Sequence, residues 1–231
     1  MTEVLQTAIY ACGASLPLLL GALVGVRWRP PRHLIATALA YAAGALIASV
    51  SFELFEPAYQ DGGPLRTGAW FAAGALLFVS ADYALSRKSA GNPAGWALLA
   101  GVTLDGIPEN TALGVSLASS ASVALLVAVF VSNFPEALAG AVTMRSRGRS
   151  ARSVVALWAG ATVLLAAAVV AGRLAFAGAS PATLAGPLAF AAGAVLTSVV
   201  DTLAPEAFGK GGPWIALASA AGFATGYVLS L

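Results

Sequence analysis

Apolar residues run through this chain in long blocks, separated by short connections that hold most of its Gly, Pro, Ser and Arg. A helix that crosses the hydrocarbon of a bilayer needs about 20 mostly apolar residues. By that measure eight segments qualify: 5–26, 34–59, 67–86, 94–118, 121–144, 153–175, 182–208 and 213–231. The runs are continuous rather than alternating apolar with polar, so they predict helices and not barrel strands. No stretch remains for a soluble domain. The pattern predicts an all-α polytopic membrane protein, with residues 1–231 forming one transmembrane domain.

Composition agrees. Of 231 residues, 59% are hydrophobic and 10% charged, with a mean hydropathy of +0.85, whereas soluble domains run near one quarter charged. The single cysteine, Cys12, excludes a disulfide framework and a thiolate metal cluster. The chain opens MTEVLQ, acidic rather than basic, so the first apolar block is read as a retained helix and not a signal peptide.

Basic residues orient the helices, because cytoplasmic loops carry the excess of Lys and Arg. With the N-terminus outside, the inner connections are RWRPPRH (27–33), RKSAGNP (87–93), RSRGRSARS (145–153) and FGKGG (208–212), which hold ten of the twelve Lys and Arg residues. Only Arg66 and Arg173 fall on the other side. Both termini are therefore expected to be extracytoplasmic, in a multi-pass protein of the cell membrane. The 145–153 run borders two helices and lacks aromatic residues for base stacking, so it is read as a positive-inside loop; no nucleic-acid partner is expected. His33, the only histidine, is read as a solvated residue of the first loop.

The chain also repeats itself. AYAAGALIASVSFELFEPAYQDGGP (40–64) aligns without gaps to AFAAGAVLTSVVDTLAPEAFGKGGP (189–213), with 12 of 25 positions identical. One copy runs outward and the other inward, which is the pattern of an inverted repeat. A weaker echo links IPEN (107–110) with FPEA (134–137). The expected organisation is 3+2+3: a three-helix repeat (1–93), a central helix pair (94–144) and an inverted three-helix repeat (145–231).

Eight acidic residues fall inside the expected spans: Glu53, Glu56, Asp82, Asp105, Glu109, Glu136, Asp201 and Glu206, with no Lys, Arg or His mid-span to pair with them. An ionised group at the bilayer centre costs about 2.5–3.5 kcal/mol even on the lenient insertion scale. Protonation, water or a bound cation must offset that. Asp82, near the inner surface and close to Arg87, is read as a structural ion pair or a snorkelled cap. The other seven gather at prolines, in FELFEP, DGIPE, NFPE and DTLAPE. A mid-helix proline frees the carbonyl four residues back, here those of Glu53, Leu104, Val131 and Asp201. Carboxylates beside freed carbonyls make an oxygen-rich cation site with helix unwinding built in. Asp105 and Glu109 are i, i+4 and share a face, as do Ser132 and Glu136; Asn133 adds an amide at i, i+3 from Glu136. Packed antiparallel, these two helices can surround a divalent ion with oxygen ligands, without imidazole or thiolate.

These motifs resemble the ZIP (Zrt/Irt-like protein) family of divalent metal transporters, over nearly the whole chain. DGIPEN stands where that family commonly reads HNxPEG, and SNFPEA where it commonly reads H(N/D)xPE(G/A); FELFEP and DTLAPE are similar to its second and seventh helices. The resemblance implies eight helices, a dimer, and a mobile unit that includes the fourth and fifth helices. It implies Asp105, Glu109, Ser132, Asn133 and Glu136 as metal ligands. Gly106 replaces a ligand Asn, and Asn110 supplies an amide where the family has glycine. The sixth helix has no acidic residue for a second metal. Glu53, Glu56, Asp201 and Glu206 are implied along the access path or the domain boundary. With both imidazoles lost, an oxygen-liking ion such as Mn²⁺, Fe²⁺ or Mg²⁺ is favoured, with Zn²⁺ retained from the family.

The sequence therefore predicts a non-enzymatic transporter of divalent cations (Zn²⁺, Mn²⁺ or Fe²⁺) by alternating access, with no resident cofactor, embedded in lipid as a homodimer. Two alternatives use the same acids: proton-coupled movement of another cation or small solute, and metal binding without transport. An intramembrane hydrolase is disfavoured, because HExxH, GxSxG and a membrane histidine are all absent.

Overall fold

The computed structural model describes residues 2–89, 94–119 and 121–231, and no strand occurs among them. The helices are α1 (Thr2–Gly25), α2 (Arg32–Ser49), α3 (Glu56–Gly62), α4 (Pro64–Ser89), α5 (Ala94–Ser116), α6 (Val123–Ser146), α7 (Ala151–Ala175), α8 (Pro181–Ser198), α9 (Ala204–Gly211) and α10 (Ala216–Leu229). Among the described residues, six helical stretches are long and apolar enough to cross a membrane: α1, α2 through α3, α4, α6, α7, and α8 into α9. The last apolar helix, Pro213–Leu229, is shorter. This is the make-up of a helical membrane protein.

Local chemistry sets where several helices start. Ser122, Ser150 and Ser180 are N-caps, each accepting from a backbone N–H three residues on, at 2.9, 3.2 and 3.3 Å. Pro181 follows its cap in the first turn, where a missing N–H is harmless.

The four prolines expected to break helices behave in two ways. Between α2 and α3 the ladder widens into a π-helical segment, Val50–Phe55; between α8 and α9 it does so at Val199–Leu203. Their closing bonds run five residues back, from Glu56 N–H to Ser51 O and from Ala204 N–H to Val199 O. Pro57 and Pro205 follow immediately, so the extra residue relieves the crowding that each ring imposes on the preceding turn. Pro108 and Pro135, by contrast, lie inside unbroken α-helix. The unwinding expected there does not occur: each costs one ladder bond, and the bonds on either side carry the helix through.

The two copies of the repeated sequence share local structure. Their π segments begin at the aligned residues Val50 and Val199, each preceded by a buried serine, Ser49 and Ser198. Each copy ends on a glycine at positive φ, Gly63 (72°) and Gly212 (73°), before a proline that opens the next helix. Only glycine takes that backbone cheaply, which explains the shared GGP. Upstream, a Cβ on Gly44 would lie 1.9 Å from Ser219 O of α10, and one on the aligned Gly193 would lie 2.0 Å from Phe71 O of α4. The reciprocal contacts match as well. Gly222 of α10 faces Tyr41 O, and Gly74 of α4 faces Phe190 O, each at 1.9 Å from an added Cβ; Tyr41 and Phe190 are aligned. Such backbone-to-backbone crossings at small residues suit helices that gain no hydrophobic drive from lipid.

Two sets of helices result. α1 packs on α6 and α7, and α5 on α7; α2 packs on α10, and α4 on α8. The sets meet where α6 touches α2 and where α5 touches α8. A cluster of Leu18, Ala137, Met144, Trp158 and Leu165 cements the first set.

Near the end of α4 the expected Asp82–Arg87 pair is not made. Asp82 accepts from Ser86 Oγ at 3.4 Å, and the Arg87 guanidinium lies 5.3 Å from the centre of the Tyr83 ring. The reason is helical spacing: i, i+4 partners share a face, and i, i+5 partners do not. His33 is not in a loop but is the second residue of α2, and it is exposed. The first three residues of the connection expected at 87–93 belong to α4, which continues to Ser89; residues 90–93 lie outside the described residues.

The glycine crossings give a direct test. Gly44→Ala and Gly193→Ala should each destabilise the protein by about 1–3 kcal/mol through overpacking, whereas Gly160→Ala, with open space at its Cβ, should leave it unchanged or slightly stabilised. Equilibrium unfolding in detergent reads the difference; equal midpoints for all three variants would refute the crossings.

Candidate cation site

α5 and α6 bring the centre of the site together. Glu109 is 3% exposed, and its Oε2 accepts from Ser132 Oγ of α6 at 3.3 Å. The i, i+4 partner of each lies one helical turn away: Asp105 on α5, buried, and Glu136 on α6, half-buried. No basic residue lies in α5, and the only one in α6 is Arg145 in its last turn.

Asp105 shares the Glu109 face but reaches the other helix set. Its Oδ1 accepts from Thr202 Oγ1 at 3.3 Å, and the buried Ser198 is a second hydroxyl within its reach. Both belong to the end of α8 and the π segment that follows it. Charge alone had singled out Asp201 in this stretch, but Asp201 is exposed while its neighbour Thr202 turns inward. The signal in the sequence is the i, i+4 pair of hydroxyls, Ser198 and Thr202, which reach Asp105 while Asp201 stays exposed. The Thr202 hydroxyl also donates to Ser198 O at 2.8 Å.

The two amides behave alike. Asn110 Nδ2 donates to Gly106 O in its own helix at 2.8 Å; Asn133 Nδ2 donates to Ala14 O of α1 at 2.7 Å. In each case the oxygen, Oδ1, is buried and has no hydrogen-bond partner. Flipping either amide would set its oxygen against a carbonyl and bury an unpartnered NH₂, so the bonds fix the orientation. Two buried oxygens without donors therefore sit on residues adjacent in sequence to Glu109 and Ser132.

The acids influence one another without converging on a point. Glu136 lies within electrostatic range of Glu109, Asp105 and Glu206. Among the described residues, however, no three His, Cys, Asp or Glu side chains are close enough together to hold a metal ion. The remaining sequence candidates lie at the two π segments. Glu53 is half-buried within the first; Glu56, just past it, is exposed and accepts from Gln60 Nε2 at 3.1 Å. Asp201 lies in the second, and the half-buried Glu206 just past it. Each π segment packs against the helix that leads into the other, α8 or α2.

α7 contributes hydrocarbon. A Cβ on Gly106 would lie 2.5 Å from Leu165 Cδ1, and Leu165 is fully buried. The donor set is thus carboxylate, hydroxyl and amide oxygen, which suits hard or borderline divalent cations. The sequence matches no family model and no curated protein.

Asn133 ties α6 to α1, whereas Asn110 bonds within its own helix. Asn133→Ala should therefore cost about 1 kcal/mol and Asn110→Ala a few tenths. Unfolding midpoints in one detergent decide between them, and an Asn110→Ala cost equal to or above that of Asn133→Ala would contradict this placement.

Proposed function

We propose that the chain moves divalent metal cations of the zinc, manganese or iron class across a membrane by alternating access, as a member of the ZIP family. The observation that carries the reading is the Glu109–Ser132 contact between α5 and α6, together with the buried, unpartnered amide oxygens on the residues that follow each, Asn110 and Asn133. Buried carboxylate and amide oxygens without a basic partner are a standing cost in lipid. A cation that arrives from outside offsets it.

Asp105, Glu109, Ser132, Asn133 and Glu136 are the ligands of this reading, with Asn110 as the added amide. The ligands are not gathered to coordination distance, so binding draws Glu136 and Asp105 toward Glu109. Asp105 then exchanges its Thr202 contact for the ion. Glu53, Glu56, Asp201 and Glu206, ranged along the two π segments, supply the path. Gly106 against Leu165 favours one ion over two, because hydrocarbon fills the space where another ligand would stand.

The 3+2+3 inverted repeat belongs to the same reading. It is supported by the aligned π segments, the paired GGP turns and the matched glycine crossings, which relate α2 on α10 to α8 on α4. Eight spans, extracytoplasmic termini and a homodimer in the cell membrane complete it. The two helix sets, meeting at α6–α2 and α5–α8, are the bodies that would move. The chain acts as a carrier rather than an enzyme, and no resident cofactor is required.

Uptake of Zn²⁺, Mn²⁺ and Fe²⁺ into proteoliposomes tests the proposal. Glu109→Ala and Glu136→Ala should each lower the initial rate by at least about tenfold, the effect expected when an oxygen ligand worth about 1.4 kcal/mol or more is removed. Undiminished uptake in both variants sinks the assignment. Metal binding by the wild type without uptake would instead support a binding protein.

A further inference from the structure

Behind the carboxylate turn of α5 lies a second feature, independent of the transport reading. A cleft of about 610 Å³ opens between α4, α5 and α8, lined by Trp70, Leu77, Phe78, Ile107, Pro108 and Phe190 among others. Among the described residues, Thr111 and the Trp70 indole N–H are its only side-chain polar groups. It continues into a shallower trough of about 540 Å³ between α4 and α5, sharing Ala81, Leu104 and Ile107 and ending near Leu85 and Leu99. α4 is the least covered of the long apolar helices, with 11% of its apolar window buried. Trp70, Leu77 and Ile107 are each more than 40% exposed along the opening. The cleft therefore faces the surroundings of the helix bundle.

We infer that this cleft binds one acyl chain of a phospholipid whose phosphate sits at Arg66. Shape favours a single acyl chain over a helix from a second protein. From Trp70 to Ala81 the cleft runs eleven residues of α4, about 16 Å at 1.5 Å per residue, so 610 Å³ leaves a mean cross-section of about 40 Å². A helix with its side chains, 10–12 Å across, needs about 80–110 Å². With the trough to Leu85 the whole groove is about 22 Å long, the reach of one extended chain within one leaflet and part of the other.

Charge selects the head group. Arg66 lies one turn before Trp70 on the same face of α4, it is exposed, and it forms no ion pair among the described residues. Its side chain leans toward the helix N-terminus, away from the cleft and toward the membrane surface. A phosphate there meets the guanidinium, while Trp70 below it packs on the first methylenes. The lipid would fill the space between α4 and the back of the turn that carries Asp105 and Glu109.

Native mass spectrometry of the purified full chain, delipidated and then exposed to dioleoyl phosphatidylglycerol, tests this. The wild type should retain one lipid per chain. Ala81→Phe, which fills the cleft where its two parts join, should cut the bound fraction at least fivefold, and Arg66→Gln at least threefold. Val163→Phe, on the exposed face of α7, should leave it unchanged. Far-UV circular dichroism checks that each variant is folded. Quenching of tryptophan by the same lipid carrying brominated chains should drop in Trp70→Phe. No retained lipid, equal retention in Ala81→Phe and wild type, or occupation of the α4 face by a second copy in cross-linking would overturn the inference.

Discussion

A carboxylate buried at membrane depth must be neutralised, solvated or paired, and Glu109 has no basic residue in its own helix and only Arg145, in the last turn, in the helix it faces. Its one hydrogen bond, from Ser132, is that of a neutral hydroxyl. Ionised groups in such surroundings cost several kcal/mol each, depending on the scale used. The rest of the local structure is arranged around that cost. Asp105 is held by hydroxyls from the opposite helix set rather than by a cation, and the amides of Asn110 and Asn133 spend their N–H groups on backbone carbonyls, leaving oxygen toward the interior. On the proposed reading the missing positive charge is the cargo.

Holding those groups in place falls to close backbone packing. The crossings at Gly44, Gly193, Gly74 and Gly222 leave no room even for a methyl group, so the helices of the second set are registered to within a fraction of a turn. The π segments fall where this set meets the first, and they let Pro57 and Pro205 continue each helix at an altered rotation. That rotation turns Thr202 inward and leaves Asp201 outside. The position of Asp105 thus depends on a bulge whose cause is a proline three residues past Thr202.

Much of this was legible in the sequence because lipid permits so few solutions. Long apolar runs had to be helices, and the gap-free match between 40–64 and 189–213 singled out the two segments that share a π segment and a glycine turn. The two PE motifs drew attention to α5 and α6, though not to the particular contact of Glu109 with Ser132. What escaped was set by rotation about helix axes. Sequence spacing marked Asp201 by its charge, but the π segment decides which side chain faces in. The Asp82–Arg87 pair failed by one residue of helical phase, and Pro108 and Pro135 failed to break their helices because a single lost ladder bond is small against the surrounding packing. The Asn133 bond to Ala14 O joins residues 119 positions apart, and no local pattern announces it.

The central claim is that the buried oxygens of α5 and α6 form a cation site, and anomalous scattering tests it most directly. Crystals soaked separately in Zn²⁺, Mn²⁺ and Cd²⁺ should each show one anomalous peak bounded by Glu109, Ser132 and Glu136, with an amide oxygen of Asn110 or Asn133 in its shell. That peak should vanish in Glu109→Gln. Peaks confined to the exposed carboxylates Glu56 and Asp201, or no peak between α5 and α6, would contradict the account.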